Sequence, residues 1–166
     1  MSSFSTEPGN VLFLVVSACP PALQTVDRIR TEQADGWDVC AILTPQATRW
    51  LDVAEIERVT GHPVQSEMLL WPTPPVEPLG NRIVAAPITF NTLNKVAAGM
   101  ADNMATGLLC EAIGNPDIEV VMEPNVSTEF ARHPAFARNV ELLQAAAVRF
   151  DGDGGFGDPP WAASSV

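Results

Sequence analysis

The chain has 166 residues, of which 46% are hydrophobic and 17% charged, so it fits one globular domain with a core large enough to be stable alone. Its formal net charge of −11 argues against nucleic acid as a partner, because phosphate backbones are bound through basic faces. No stretch reaches the roughly 20 apolar residues of a membrane span, and residues 1–9 lack the pattern of a signal peptide.

Apolar runs and helix-type patterns alternate along the first part of the chain. Residues 11–16 form a continuous apolar run, typical of a strand covered on both faces, and a helix begins at Pro20-Pro21. Residues 37–43 predict a second strand, and residues 53–59 predict a short helix. Five prolines between residues 61 and 82 exclude regular structure over most of that stretch, which we interpret as a long functional loop.

The second part continues the alternation. We expect a strand at 82–86 that ends at Pro87, and then one helix whose apolar stripe comprises Leu93, Val96, Ala97, Met100 and Met104. A strand at 118–122, a helix at 136–147 and a short strand at 148–150 follow. The pattern predicts a single α/β domain at 10–150, a doubly wound, Rossmann-like or flavodoxin-like parallel sheet in three α/β/α layers, with flexible ends at 1–9 and 151–166.

Polar side chains follow three of the predicted strands. In doubly wound sheets ligands bind at the carboxyl ends of the strands, so residues 17–19, 44–50 and 89–92 are candidate site segments. Ser17 and Thr44 carry hydroxyls that could donate to phosphate oxygens, although ordinary helix caps and turns use the same residues. A polar loop that opens a helix, as at 89–92, suits an anion or an electron-rich ring.

The loop at 87–92 and the residues after it resemble a known family. Pro87-Ile88-Thr89-Phe90-Asn91-Thr92 resembles the Pro-Ala-Ser-Ala-Asn-Thr loop of the homo-oligomeric flavin-containing cysteine decarboxylases, which include phosphopantothenoylcysteine decarboxylase and lantibiotic peptide cysteine decarboxylases. Residues 95–103 are similar to that family's Lys-Leu-Ala-x-Gly-Ile-Ala-Asp-Asn helix, and residues 44–50 to its Thr-Pro-x-Ala-x-x-Phe segment near the flavin phosphate. The sequence Thr-Phe-Asn-Thr at 89–92 is most similar to that of an actinobacterial branch of the family usually called only "flavoprotein".

The resemblance implies an FMN cofactor and a set of residues that hold it. These residues are Ser17, where the family has Gly, and Thr44, Trp50, Pro87, Thr89, Phe90, Asn91, Thr92, Asp102 and Asn103. FMN is expected rather than FAD because the match includes phosphate hydroxyls and no adenine-binding fingerprint. The family also implies a homo-oligomer, a trimer or a dodecamer built from trimers, with the flavin at a subunit boundary. Trp71 is a candidate subunit contact, or else it covers its own core.

Two family features change in this chain. The family His that lies 14 residues before the loop proline falls on Thr73, and the nearest upstream histidine, His62, fits a turn instead. The family's substrate clamp, Pro-Ala-Met-Asn-x-x-Met-Trp, aligns with residues 124–131, so that Ser127 stands at the substrate-binding Asn. Asn125 could replace the lost amide, and His133 is interpreted as a helix cap. No catalytic residue is assigned.

Two functional hypotheses therefore remain open. The first is an FMN-dependent oxidative decarboxylase (a lyase) or an oxidoreductase that acts on a small carboxylate or a peptide C-terminus. The second is a non-catalytic flavin-binding or accessory protein. Cys19, Cys40 and Cys110 are scattered and odd in number, and no paired Cys or His spacing indicates a metal, so we expect a reduced, cytoplasmic protein.

Overall fold

The computed structural model describes residues 10–68 and 80–152. In these residues parallel strands alternate with helices, as the sequence pattern predicts. The strands are β1 (Val11–Val16), β2 (Asp38–Leu43), β3 (Arg82–Ile88), β4 (Glu119–Pro124) and β5 (Arg149–Phe150). The helices are α1 (Thr25–Ala34), α2 (Val53–Thr60), α3 (Phe90–Ala97), α4 (Met104–Ile113), α5 (Thr128–Arg132) and α6 (Pro134–Ala145), with 3-10 turns at Pro20–Gln24 and Ala47–Arg49.

The five strands form one sheet in the order β2-β1-β3-β4-β5, and every neighbouring pair is parallel. This order confirms the predicted doubly wound α/β fold. The chain leaves β1 towards β2 on one side and returns to β3 on the other. The strand order therefore reverses between β1 and β3, and in this fold ligands bind at the carboxyl ends of those two strands.

Both faces of the sheet are covered, which explains the unbroken apolar run of β1. Leu12 and Leu14 pack with α1 and α2 on one face, whereas Phe13 and Val15 belong to the core that α3, α4 and α6 cover on the other. All six residues of β1 are buried. A parallel strand in this position needs apolar side chains in both directions, and the sequence supplies them.

The single helix predicted through Met104 is wrong, because the segment contains two helices. Gly99 has φ +71°, and the amide of Met100 donates to the carbonyl of Lys95, a left-handed ending that terminates α3. Asn103 then caps α4 in a reciprocal pair with Thr106. Met100 is consequently 51% exposed and lies outside the core.

Other boundaries move by a few residues. The helix expected at Pro20 begins as a 3-10 turn and becomes α-helical at Thr25. Strand β3 continues through Pro87 to Ile88, with a register shift against β4 that accommodates the proline. Of the predicted long loop, residues 69–79, with Trp71 and Thr73, lie outside the described residues. No helix in the described ranges is both long and apolar enough to cross a membrane.

Candidate functional site

A cleft of about 720 Å³ opens at the carboxyl ends of β1, β2, β3 and β4. This volume lies within the range of about 300–1,000 Å³ that is usual for small-molecule and cofactor sites. The cleft is lined by Ala18, Cys19, Pro20, Thr44, Pro45, Gln46, Thr89, Phe90, Asn91, Thr92, Lys95, Asp102, Asn103, Asn125, Val126, Ser127 and Phe130. Three separate strand ends that the sequence analysis selected therefore meet in one place.

Three hydroxyl groups form a chain between the ends of β1 and β3. Thr92 Oγ1 lies 3.2 Å from Ser17 Oγ and 3.2 Å from Thr89 Oγ1. Ser17 is 1% exposed and Thr92 5% exposed, whereas Thr89 is half-buried. Three hydroxyl protons serve only two hydrogen bonds within this cluster, so one O–H group remains to donate to a ligand. Ser17 itself is beneath the cleft surface, where it supports Thr92.

The loop after β3 leads directly into α3. Thr89 is the N-cap, and its Oγ1 accepts from the backbone amide of Thr92 at 3.4 Å. The N–H groups of Phe90 and Asn91, which precede Thr92 in the first turn, have no acceptor within the helix, so they are the donors available at the cleft. Asn91, in the first turn, is exposed and lines the cleft. This end of α3 offers donors without a cation, which suits an anionic group.

The segment after β2 contributes Thr44 but not Trp50. Thr44 Oγ1 accepts from the amide of Ala47 at 3.2 Å, which leaves its O–H free to donate. Thr44 is buried to 7% exposure and lines the cleft. Trp50 follows a 3-10 turn, is 44% exposed and lies outside the residues that line the cleft.

One ion pair carries the charge of the cleft. Among the described residues that line it, Lys95 is the cation and Asp102 the anion, and Lys95 Nζ donates to Asp102 Oδ2 at 2.6 Å. That hydrogen bond holds the pKa of Asp102 below its usual value. Asp102 Oδ1 also accepts from Asn103 Nδ2 at 3.1 Å. Asp102 and Asn103 thus anchor the start of α4 at the edge of the cleft.

The loop after β4 forms the opposite wall. The amide of Asn125 donates to the carbonyl of Ile88 at 3.0 Å, which joins this loop to the end of β3. Ser127 caps α5, and its Oγ accepts from the amide of Phe130 at 3.3 Å. Asn125 and Ser127 both line the cleft.

The same wall contains an aromatic pair, of which the sequence analysis predicted one member. Phe90 and Phe130 stack with ring centroids 4.5 Å apart and planes at 14°. Sequence reasoning selected Phe90 but missed Phe130 and Lys95 as lining residues. The signal for Phe130 was its place three residues after Ser127 in the clamp segment, on the helix that Ser127 caps.

Pro87 faces a second cleft on the other side of the sheet. Its carbonyl accepts from the amide of Ser17 at 3.0 Å, while its side chain lines a cleft of about 370 Å³ beside α1. Arg28 of α1 crosses that cleft to Glu123 of β4 in a bidentate pair, at 2.8 and 3.0 Å. Asn125 lines both clefts.

The thiol in the cleft is not an activated nucleophile. Burial raises the pKa of Cys19 to about 11, so the thiol stays protonated at neutral pH. Its Sγ lies 3.9 Å from the carbonyl of Ser17. Cys40 is likewise buried, with its pKa raised to about 11, and packs in the sheet core.

Comparison with known proteins identifies the family. The model of the family described as Flavoprotein matches residues 5–158, nearly the whole chain. The chain belongs to the Flavoprotein family. It is 26% identical over 148 residues to the coenzyme A biosynthesis bifunctional protein CoaBC of Thermococcus kodakarensis, across 86% of this chain and 36% of that protein. It is 34% identical over 110 residues to CoaBC of Mycobacterium tuberculosis, across 64% of this chain and 25% of that protein. The chain thus spans about a quarter to a third of these relatives.

Solved structures with the same fold carry related descriptions. The FMN-dependent cysteine decarboxylase TvaF from thioviridamide biosynthesis superposes with a TM-score of 0.75 at 20% identity, over 85% of this chain and 88% of that one. The FMN-dependent cysteine decarboxylase SpaF gives 0.73 at 23% identity, over 94% and 93%. A PPC decarboxylase mutant complexed with pantothenoylaminoethenethiol gives 0.72 at 18% identity, over 86% and 81%. At these identities the likeness establishes the fold, while the family match supports a flavin cofactor.

Proposed function

We propose that this chain binds FMN in the cleft at the carboxyl ends of β1–β4 and serves flavin-dependent redox chemistry on a small carboxylate-bearing molecule. One observation carries the proposal. Nine of the twelve residues that the sequence analysis selected line this one cleft; Ser17, Trp50 and Pro87 are the exceptions. The cleft lies where a sheet of this strand order binds its ligand, and the family membership supports a flavin.

The donor set of the cleft fits FMN. The hydroxyls of Thr44, Thr89 and Thr92, together with the first N–H groups of α3, would hold the phosphate. A phosphate bound in this way requires no lysine or arginine, which agrees with a cleft whose Lys95 is already paired with Asp102. Asn91 would hydrogen-bond the ring, because its amide is exposed in the first turn of α3. A bound flavin would supply an electron acceptor for the substrate.

FMN binding is testable by titration. We expect the purified protein to quench FMN fluorescence at micromolar concentrations and to release FMN, identified by mass, on denaturation. Asn91→Ala should weaken binding by about 1–3 kcal/mol, the cost of a lost buried hydrogen bond. Asn115→Ala is the matched control, since Asn115 follows α4 and caps only its own turn through Asp117. A colourless protein that does not quench FMN would contradict the proposal.

The reaction that the bound flavin would serve has two candidate forms. Family members named as cysteine decarboxylases support an oxidative decarboxylation. However, the described lining residues include no histidine, and their one carboxylate is paired with Lys95. This favours a second candidate, a flavin-binding protein without decarboxylase activity. Thr73, which stands at the family His position, lies outside the described residues.

A single experiment separates these two candidates. FMN-loaded protein is mixed anaerobically with peptides that end in cysteine and with phosphopantothenoylcysteine, and both bleaching of the flavin absorption and carbon dioxide are followed. We expect little turnover of phosphopantothenoylcysteine, because threonine cannot replace the family His as a base and Ser127 is shorter than the clamp Asn. Efficient carbon dioxide release from it would contradict this expectation.

We also propose that the protein assembles as a homo-oligomer, a trimer, with the flavin between subunits. The family resemblance suggests this, and Trp50, at 44% exposure, and Met100, at 51%, are large apolar side chains available for contact. Light scattering tests the proposal directly. A monomeric mass in the presence of FMN would refute it.

A further inference from the structure

The stacked rings of Phe90 and Phe130 differ from the rest of the cleft wall. Their centroids lie 4.5 Å apart with planes at 14°, and both side chains line the cleft. Phe90 is half-buried and reaches the core at Phe136, with a centroid distance of 6.2 Å. Phe130 is 51% exposed. One face of its ring is stacked on Phe90, and about half of the side-chain surface remains in contact with water.

Core packing does not account for Phe130. Helix α5 has five residues and none of them is buried. An exposed phenylalanine on such a helix adds little to stability, since burial is what makes a large apolar side chain stabilising. The family's clamp pattern has Met at the position of Phe130, and its loop pattern has Ala at the position of Phe90. Two residues from separate helices of this chain, α3 and α5, thus form an aromatic pair at one point of the cleft.

We propose that this pair, Phe90 with Phe130, is the surface that packs against a planar ring of the second ligand, and that this ligand is a small aromatic carboxylic acid. The inference rests on the proposed FMN binding and specifies the substrate class of that same cleft. Aromatic rings prefer offset or edge contacts with other rings, and such pairs add stabilisation beyond the area they bury.

The neighbouring polar groups suit the acid group of such a ligand. The Asn125 amide and the Ser127 hydroxyl line the cleft on the same loop as Phe130. Because Ser127 Oγ already accepts from the amide of Phe130, its O–H is left to donate. Among the described lining residues the one cation, Lys95, is paired with Asp102. Neutral donors therefore face a single carboxylate, and a polyanionic second ligand is disfavoured.

The test compares two acids with the same carbon skeleton, one with a flat aromatic ring and the other with a saturated, more hydrophobic ring. 3-Phenylpropionate and 3-cyclohexylpropionate are titrated into FMN-loaded protein, and binding is read from the perturbation of the flavin absorption spectrum and, independently, from ligand-observed NMR. We expect the aromatic acid to bind about threefold to tenfold more tightly. Phe130→Leu, which keeps apolar bulk at an exposed position, should remove this preference. Leu142→Ala, at an equally exposed residue of α6 outside the cleft lining, should retain it.

Each other outcome is decisive. Equal affinity for the two acids, no binding of the aromatic acid, or a preference that survives Phe130→Leu would overturn the proposal. A loss of FMN affinity in Phe130→Leu would assign the pair to the flavin, and a fall in its mass by light scattering would assign it to a subunit contact; either would also overturn the proposal. Failure of the unaltered protein to bind FMN is instead a failure of the proposed function, and the FMN titration detects it first.

Discussion

The hydroxyl cluster beneath the cleft allows the sharpest test of the site, through the substitution Thr92→Val. Valine preserves the shape of a side chain that is 5% exposed and removes only the oxygen that joins Ser17 to Thr89. Both hydrogen bonds are 3.2 Å long, beyond the usual 2.7–2.8 Å for hydroxyl pairs, so each contributes at the lower end of about 0.5–1.5 kcal/mol. Because the buried Ser17 hydroxyl also loses a partner, we expect a total loss of about 1–2 kcal/mol in unfolding free energy.

Thr92→Val should also weaken FMN binding, in addition to lowering the unfolding free energy. If the spare O–H of the cluster donates to the FMN phosphate, a charged acceptor, its loss weakens FMN binding by about 1.5–3 kcal/mol, roughly tenfold to a hundredfold. The assay pairs urea unfolding of the apoprotein with FMN fluorescence titration of the folded protein. The destabilisation alone should lower Tm by about 2–8 °C in a chain of this length.

Thr60→Val is the matched control. Thr60 is also buried, and its hydroxyl donates to the carbonyl of Ile56 at the end of α2, outside the residues that line the cleft. It should lose a similar amount of stability and keep its affinity for FMN. If Thr92→Val and Thr60→Val bind FMN equally well, the cluster takes no part in binding and the reasoning above is refuted.

Two further predictions concern the rest of the molecule. Glu123→Ala should lower the unfolding free energy by about 1–2 kcal/mol in urea titrations, because the Arg28 side chain, about one-third exposed, then keeps Glu32 as its remaining ion-pair partner. Glu123→Gln should lose less stability, because its side chain can still accept a hydrogen bond from Arg28. Equal losses in the two variants would show that the charge of Glu123 is unimportant. Burial raises the pKa of the Cys19 and Cys40 thiols to about 11 from 9.0, so between pH 9 and 11 the folded protein keeps both protonated while the unfolded chain ionises them. Stability should therefore fall as pH rises through that window, and spectroscopic titration of thiolate that gives a midpoint near 9 for all three cysteines of the folded protein would contradict this.

The fold could be predicted because its signals are local and repeated. The run at Val11–Val16 is apolar in both directions, which only a strand buried on both faces requires. The break between α3 and α4 could not be found from periodicity, because Met100 and Met104 continue the stripe of Leu93 and Val96. What overrides periodicity there is backbone geometry, since Gly99 adopts a positive φ and Asn103 forms a cap. Both residues were visible in the sequence, but their conformations were not.

The site was predictable to the extent that strand ends carry it. Thr44 and Asn91 were selected from the segments after β2 and β3, and parallel strands in the order β2-β1-β3-β4-β5 bring those two segments to the same edge of the sheet. The Phe90–Phe130 stack depends on the relative placement of the loops after β3 and β4, which no spacing along the chain encodes. The Lys95–Asp102 pair likewise joins residues across the break that the single-helix prediction missed.

The departures of this chain from the family pattern occur at Ser17 and Phe90, in the segments after β1 and β3, and at Ser127 and Phe130, after β4. Thr92, Asp102 and Asn103, in the loops that would hold the flavin, match the pattern or its helix. Ser127 and Phe130, on the wall after β4, replace the clamp Asn and Met, and Phe90 turns towards that wall to stack on Phe130. The two propionate acids test the proposed substrate class at the wall after β4 more directly than any assay of cysteine decarboxylation, and the FMN titration tests the proposed flavin side separately.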